Sequence, residues 1–291
     1  NHVDFTFALS PGLSICYSSE ADFQAIVAKF EALYGLGVRA FTIPLDDIDY
    51  NRWHCDDDRE KYGTGGGAAG RAQADLLNRV QREWVEAKGD VAPLQMVPTE
   101  YYDVSETPYK KAIREVLDPK VIVHWTGIGV IPERITREQA AQARAVFGHP
   151  ILVWDNYPVN DYIAGRLPLA PYTGRENGLS HELVGIVSNP MNQAATSKIA
   201  LFSFGEFGWD DLSYDAEESW QRALAERAGG DARTLEALRW FADLQHYDGT
   251  LHKTRAPRLT AAIEEFWRSE RDAAAVDELR STFAAIGRAP D

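Results

Sequence analysis

The sequence is poor in sulfur and in positive charge. Two cysteines, Cys16 and Cys55, occur in 291 residues, so a disulfide framework or a cysteine-based zinc site is excluded by count, and the cysteines leave the compartment open. Lys and Arg number 30 against 44 Asp and Glu, a net charge of -14. Such a surface repels phosphate backbones and anionic lipid, which argues against nucleic acid as a partner. The short basic stretches at Tyr109–Arg114 and 252–258 read as solvated faces. No apolar run has the length of a membrane span. Neither G-x-S-x-G nor H-E-x-x-H occurs, so serine-hydrolase and zinc-protease signatures have no support. Residues Gly65 to Gly70 satisfy G-x-G-x-x-G, but they follow the charged run Asp56–Lys61 and no strand; a mobile loop is expected there. The chain opens at Asn1 without Met or a charged-then-apolar leader, which reads as a cut inside a longer protein.

What the chain does have is 45% hydrophobic and 25% charged residues, enough for a large core in one big domain plus a smaller one. Short apolar runs alternate with amphipathic segments of helical length, the pattern of a parallel sheet built from strand-helix units. Strands are expected at 3–9, 40–45, 92–97, 121–125, 151–154 and 185–188. Helices are expected at 20–34, 72–88, 108–117, 137–146 and 192–204. The spacing of about 30 residues suits a (β/α)8 TIM-type barrel, of which six units are visible. From Asp215 no strand pattern returns. Apolar residues recur at helical spacing from Trp220 and Leu224 to Trp267 and Phe283, behind a capping-box-like Asp215 and Glu218, so a small helical domain is expected at 213–291 after a barrel at 1–212.

A barrel carries its chemistry at the C-terminal ends of its strands. There the sequence offers Asp46-Asp47 after the second strand, Thr99-Glu100-Tyr101 after the third, Thr126-Gly127 after the fourth, Asp155-Asn156 after the fifth and Asn189-Pro190 after the sixth. Carboxylates, amides and aromatic walls on one rim suit a sugar. In a partly dry pocket, adjacent Asp46 and Asp47 have their proton affinities driven apart, so that one can serve as an acid while the other stays an anion. Read alone, the pair could equally be a solvated turn or a helix cap. His54 with Asp56, Asp57 and Asp58 could join it in a carboxylate-metal hydrolase, but reads more simply as exposed charge in a long loop.

The segments Leu9–Leu13, Leu45–Asp49, Pro98–Tyr101, His124–Gly127, Trp154–Asn156 with Asn160–Tyr162, and Ser188–Met191 resemble, in order, those of glycoside hydrolase family 84. This is the O-GlcNAcase family of β-N-acetylglucosaminidases. The resemblance implies a retaining, substrate-assisted hydrolysis of terminal β-linked N-acetylglucosamine from a glycan or glycoprotein, with no cofactor and no metal. It implies that Asp46 orients the substrate acetamido N–H and that Asp47 is the general acid and base. It further implies that Tyr101 supports the acetamido pocket, Trp154 walls it and Asn156 hydrogen-bonds close to the pair. Asp161 would hold the 4- and 6-hydroxyls, and Asn189 would also contact the sugar. The family's first two strand-helix units lie upstream of the part that Asn1 begins, so a missing N-terminal segment is expected to complete the barrel. A carbohydrate-binding protein with an incomplete site is the alternative that this leaves.

Overall fold

The computed structural model describes residues 5–163, 165–247 and 254–287. Six strands form one sheet in sequential order, β1 (Thr6–Ala8), β2 (Ala40–Pro44), β3 (Gln95–Val97), β4 (Ile122–Trp125), β5 (Ile151–Asp155) and β6 (Gly185–Ser188). The ladders from β1 to β5 are parallel, with registers such as Thr6 to Ala40, Thr42 to Gln95 and His124 to Leu152. Every expected strand is present. The expected start of the first, Val3, lies outside the described residues. Sequential parallel order with helical crossovers is the topology of consecutive (β/α) units.

The connections are helical where the sequence has the right period and caps. Helix α1 (Glu20–Gly35) starts at Ser19, whose side chain accepts the Asp22 N–H, and it buries Phe23, Ile26 and Phe30. Phe30 packs on Phe41 of β2 and on Trp84, with ring centroids 4.6 and 5.4 Å apart. Helix α5 (Pro108–Val116) is capped by Thr107 and has Pro at its first position. Helices α6 (Arg137–Phe147) and α7 (Ala194–Trp209) follow β4 and β6.

Two expectations about the long β2–β3 connection are corrected. The charged run is helix α2 (Asp56–Tyr62), and Asp58 is fully buried because its carboxylate accepts the Tyr17 and Ser18 N–H groups at 2.7 and 2.8 Å. The glycine run is no mobile loop either. Gly66 opens α3 (Gly66–Arg79), which continues through a π-helical segment at Val80–Val85 into α4 (Glu86–Lys88). A side chain on Gly70 would stand 2.8 Å from the Tyr109 carbonyl oxygen and 2.9 Å from Ala112 Cβ, so the glycine is what lets α3 and α5 approach. Lys110 is also no solvated residue. It is buried, and its ammonium donates to the carbonyls of Tyr102 and Asp103 at 2.8 and 3.2 Å. Of the second basic stretch, 252 and 253 lie outside the described residues.

The chain divides into two compact units. The first comprises Asn1–Val130, Arg137–Trp154 and Ser180–Gly185; the second comprises Ile131–Thr136, Asp155–Leu179 and Ile186–Asp291. The second unit has its own core of Leu169, Met191, Ile199, Trp220 and Leu224. Its C-terminal part holds helices α8 (Ala216–Ala228), α9 (Ala232–Leu244), α10 (Pro257–Arg268) and α11 (Ala273–Ile286). Asp215 caps α8 by accepting the Glu218 N–H at 2.8 Å. Strand structure does return here, against expectation, as an antiparallel pair β7 (His246–Tyr247) and β8 (Thr254–Arg255). Trp267 and Phe283 are exposed, so the apolar period of the last two helices does not make a buried core of them. No helix among the described residues is long and apolar enough to cross a membrane.

Candidate active site

The β2 strand runs Phe41-Thr42-Ile43-Pro44 and is followed by Leu45, all buried, and then the chain turns sharply. Asp46 is half-buried and Asp47 exposed. Asp47 has φ +50°, in the left-handed region that short polar side chains tolerate best after glycine. Adjacent carboxylates thus leave the strand end with different surroundings. Burial, and less so the negative charge of Asp47, pushes the Asp46 carboxyl above its usual range; a backbone N–H works against this.

Tyr101, four residues past the end of β3, donates its hydroxyl to Asp47 Oδ1 at 3.2 Å. Burial and the Asp47 charge push that phenol up to about 12, so it stays a donor at neutral pH. Next to it, Glu100 accepts the Tyr50 hydroxyl at 3.0 Å and the Thr107 hydroxyl at 2.5 Å. Tyr50 stacks on Tyr109 with rings 7° apart. The loop after the aspartates is therefore tied to the loop after β3 by Tyr101 and by Tyr50. Trp154, near the end of β5, is half-buried, and its ring lies 6.0 Å from that of His124. His124 Nε2 bonds Gln95 Oε1 at 2.9 Å, and Thr42 donates to the same oxygen at 3.3 Å. Burial lowers the His124 pKa to about 4, so this polar ladder across β2, β3 and β4 is uncharged at neutral pH.

Cys16 and Cys55, too few for a framework, are bonded to each other in a single bridge across 39 residues. The bridge joins the loop after β1 to the loop that follows the aspartates. With Asp58 it makes the one gathering of metal-capable side chains among the described residues, and its two sulfurs are already bonded to each other. His54 instead bonds the Gly12 carbonyl oxygen at 3.1 Å.

In the second unit, the Asn189 side-chain amide donates to Asn156 Oδ1 at 3.0 Å, so these two expected sugar contacts are brought together. The Asn189 N–H donates to the Asp155 carbonyl oxygen at 2.9 Å. Asp155 itself is fully buried and held by Arg175 and by the Tyr172 hydroxyl, the latter at 2.5 Å. Although burial opposes its charge, the Asp155 carboxylate keeps Arg175 firmly protonated. Asp155 is thus committed to structure. Asp161 is exposed, in a turn and not on a helix.

The β-N-acetylglucosaminidase family model matches residues 1–243. The chain belongs to this family. It is 30% identical over 205 residues to the Protein O-GlcNAcase of Mus musculus, covering 68% of this chain and 21% of the relative, and equally so to that of Rattus norvegicus. Among solved structures, a single-residue mutant of the Thermobaculum terrenum O-GlcNAc hydrolase has a TM-score of 0.85 at 29% identity, covering 97% of this chain and 60% of that one. The structure of CpGH84B has a TM-score of 0.83 at 33% identity, covering 99% and 50%. The chain thus spans about a fifth of the curated relatives' length and half or somewhat more of these solved chains.

Proposed function

We propose that this member of the family is a retaining β-N-acetylglucosaminidase acting by substrate assistance, with Asp46 and Asp47 as its catalytic pair. The observation that carries the proposal is the pair itself, two adjacent carboxylates at the C-terminal end of β2 with Tyr101 bonded to the second; which of the two is the acid follows from the family resemblance, since burial of Asp46 alone would place the proton there. In the first step the substrate's acetamido oxygen attacks the anomeric carbon while Asp46 accepts a hydrogen bond from the acetamido N–H. Asp47 gives its proton to the departing glycosidic oxygen, and an oxazolinium forms whose N–H stays hydrogen-bonded to the Asp46 carboxylate. In the second step Asp47 takes a proton from water, the water oxygen attacks the anomeric carbon, and the oxazolinium opens to the acetamide. Two inversions leave the β configuration.

Tyr101 stays protonated and holds Asp47 in place before substrate binds, and Trp154 walls the acetamido pocket. The sugar contacts that the family resemblance implies for Asn156, Asp161 and Asn189 stand as part of the same proposal. So does the reading of the six strands as strands three to eight of a (β/α)8 barrel, with the helices from Ala216 as a separate small domain. The Cys16–Cys55 bridge favours an oxidising compartment. We therefore place the natural substrates among N-acetylglucosamine glycans and glycoproteins outside the reducing cytosol; free thiols at both positions in protein isolated with thiol blocking would count against this.

The test is a comparison of chromogenic β-glycosides of N-acetylglucosamine and glucose. The glucoside lacks the internal nucleophile and is expected to be nearly inert, and a thiazoline mimic of the oxazoline is expected to bind far more tightly than the product sugar. Comparable rates on the two glycosides contradict substrate assistance.

A further inference from the structure

We infer that Thr99, Gln73 and Tyr109 form a hydrogen-bonded brace that positions the Asp46–Asp47 segment, an inference that rests on the catalytic reading of that pair. The regular β2–β3 ladder ends with the Leu45 N–H donating to Val97 at 2.8 Å. In a parallel ladder the next rung would run from the Thr99 N–H to the Leu45 carbonyl. That rung is replaced. The Thr99 N–H donates to the Tyr109 hydroxyl at 3.0 Å, and the Leu45 carbonyl receives the Thr99 hydroxyl at 2.6 Å. The two strands part here, and a side chain takes over the carbonyl that the backbone has released. This carbonyl belongs to the peptide unit whose nitrogen is that of Asp46, so fixing its oxygen fixes the plane from which the catalytic pair departs.

Gln73, buried on α3, closes the brace. Its Nε2 donates to Thr99 Oγ1 at 2.9 Å, and its Oε1 accepts the Tyr109 hydroxyl. Donor counting fixes every direction. If the amide were flipped, Thr99 would give its proton to Gln73, the Leu45 carbonyl would lose its donor, and the Tyr109 proton would lose its acceptor. Leu45, Gln73 and Tyr109 are all buried, where an unpaired polar group is costly, so one arrangement prevails. The brace spans β2, β3, α3 and α5. Through the stacking of Tyr109 on Tyr50 it also reaches the loop beyond the aspartates.

These three are positioning residues, since none is argued to touch substrate. A misplacement of about 1 Å at a reacting group is worth on the order of 100-fold in rate. Thr99→Val keeps the shape and removes the hydroxyl. In the intact protein it is expected to lower kcat on a chromogenic N-acetylglucosaminide by roughly 10- to 100-fold with KM changed less than about threefold. Thr99→Ser is expected to restore kcat to within about threefold of the parent. Asn78→Ala is the control: Asn78 also lies on α3 but bonds Val116, the last residue of α5, and Asp118 just beyond it, at the opposite end of that helix from Tyr109. It is expected to cost as much thermal stability and to keep kcat within about threefold. Tyr109→Phe deletes one oxygen and covers the case in which Thr99→Val does not fold; the same fall in kcat over KM is expected. The inference is overturned if Thr99→Val or Tyr109→Phe folds and retains parental kcat while Asp46→Ala is inactive on the same substrate. It is overturned equally if Asn78→Ala loses as much kcat as they do. A parent inactive on every β-N-acetylglucosaminide overturns the catalytic reading, and this inference with it.

Discussion

Replacing both bridged cysteines, Cys16→Ser with Cys55→Ser, separates what holds the loop after the aspartates from what stabilises the whole chain. The bridge closes a loop across 39 residues. Restricting an unfolded chain over that length is worth about 4 kcal/mol by the chain-entropy relation. In the folded protein the loop after β1 is also held to the start of α2, just past Cys55, by Asp58, which binds the Tyr17 and Ser18 N–H groups and needs no sulfur to do so. The loss should therefore appear in the unfolding equilibrium and not in turnover. Urea unfolding, followed by tryptophan fluorescence, is expected to show the variant about 3–4 kcal/mol less stable, while kcat at 25 °C stays within about twofold. Two thiols titrating in the non-reduced parent would refute the premise. A loss below about 1 kcal/mol would refute the entropic reasoning. A tenfold fall in kcat with the fold intact would show that the bridge, and not Asp58, holds the loop.

Other substitutions probe single contacts. Because burial raises the Asp46 pKa, the folded state favours its protonated form; that stability is present below the ordinary carboxylate pKa and is lost as pH rises through the folded value. Asp46→Asn is accordingly expected to raise the melting temperature at pH 7 and leave it unchanged at pH 3; an equal gain at both would contradict the assignment. Tyr101→Phe removes the hydrogen bond to Asp47 and is expected to lower kcat/KM by about tenfold, equivalent to about 1.4 kcal/mol, in steady-state assays. Gly70→Val would drive a side chain into the Tyr109 carbonyl and Ala112, and is expected to destabilise the protein by about 1–3 kcal/mol in thermal melts.

The inner strands β2 to β5 were legible because a strand buried on both faces has to be a short apolar run, and β1 and β6, less buried, were legible from the spacing of the units. The strand-end position of Asp46, Asp47 and Tyr101 was legible because strand ends are where such a fold presents polar groups. What stayed hidden depends on contacts between distant residues. Asp58 has no apolar period around it and is buried only because two backbone N–H groups come to meet it. Gly66–Gly70 has the composition of a loop, and only the proximity of α5 shows why small residues are needed in a helix there. Lys110 lies in a basic stretch, and nothing local marks it as the one that turns inward to two carbonyls. Gln73 sits mid-helix, 26 residues from the threonine it bonds, so the brace cannot be seen in the spacing. The two cysteines gave the number of possible bridges but not whether the fold would bring them together.

The leaving-group dependence of Asp46→Ala and Asp47→Ala tests the division of labour most directly. It is read as kcat/KM against aryl N-acetylglucosaminides of graded phenol pKa. If Asp47 supplies the proton, its loss should cost little with an acidic phenol and progressively more as the phenol pKa rises, up to about 10²- to 10⁴-fold. If Asp46 acts on the acetamido nucleophile, its loss should cost a similar factor whatever leaves. A steep dependence for Asp46→Ala with a uniform loss for Asp47→Ala would reverse the roles, and turnover within tenfold of the parent for both variants would show that the pair is not catalytic.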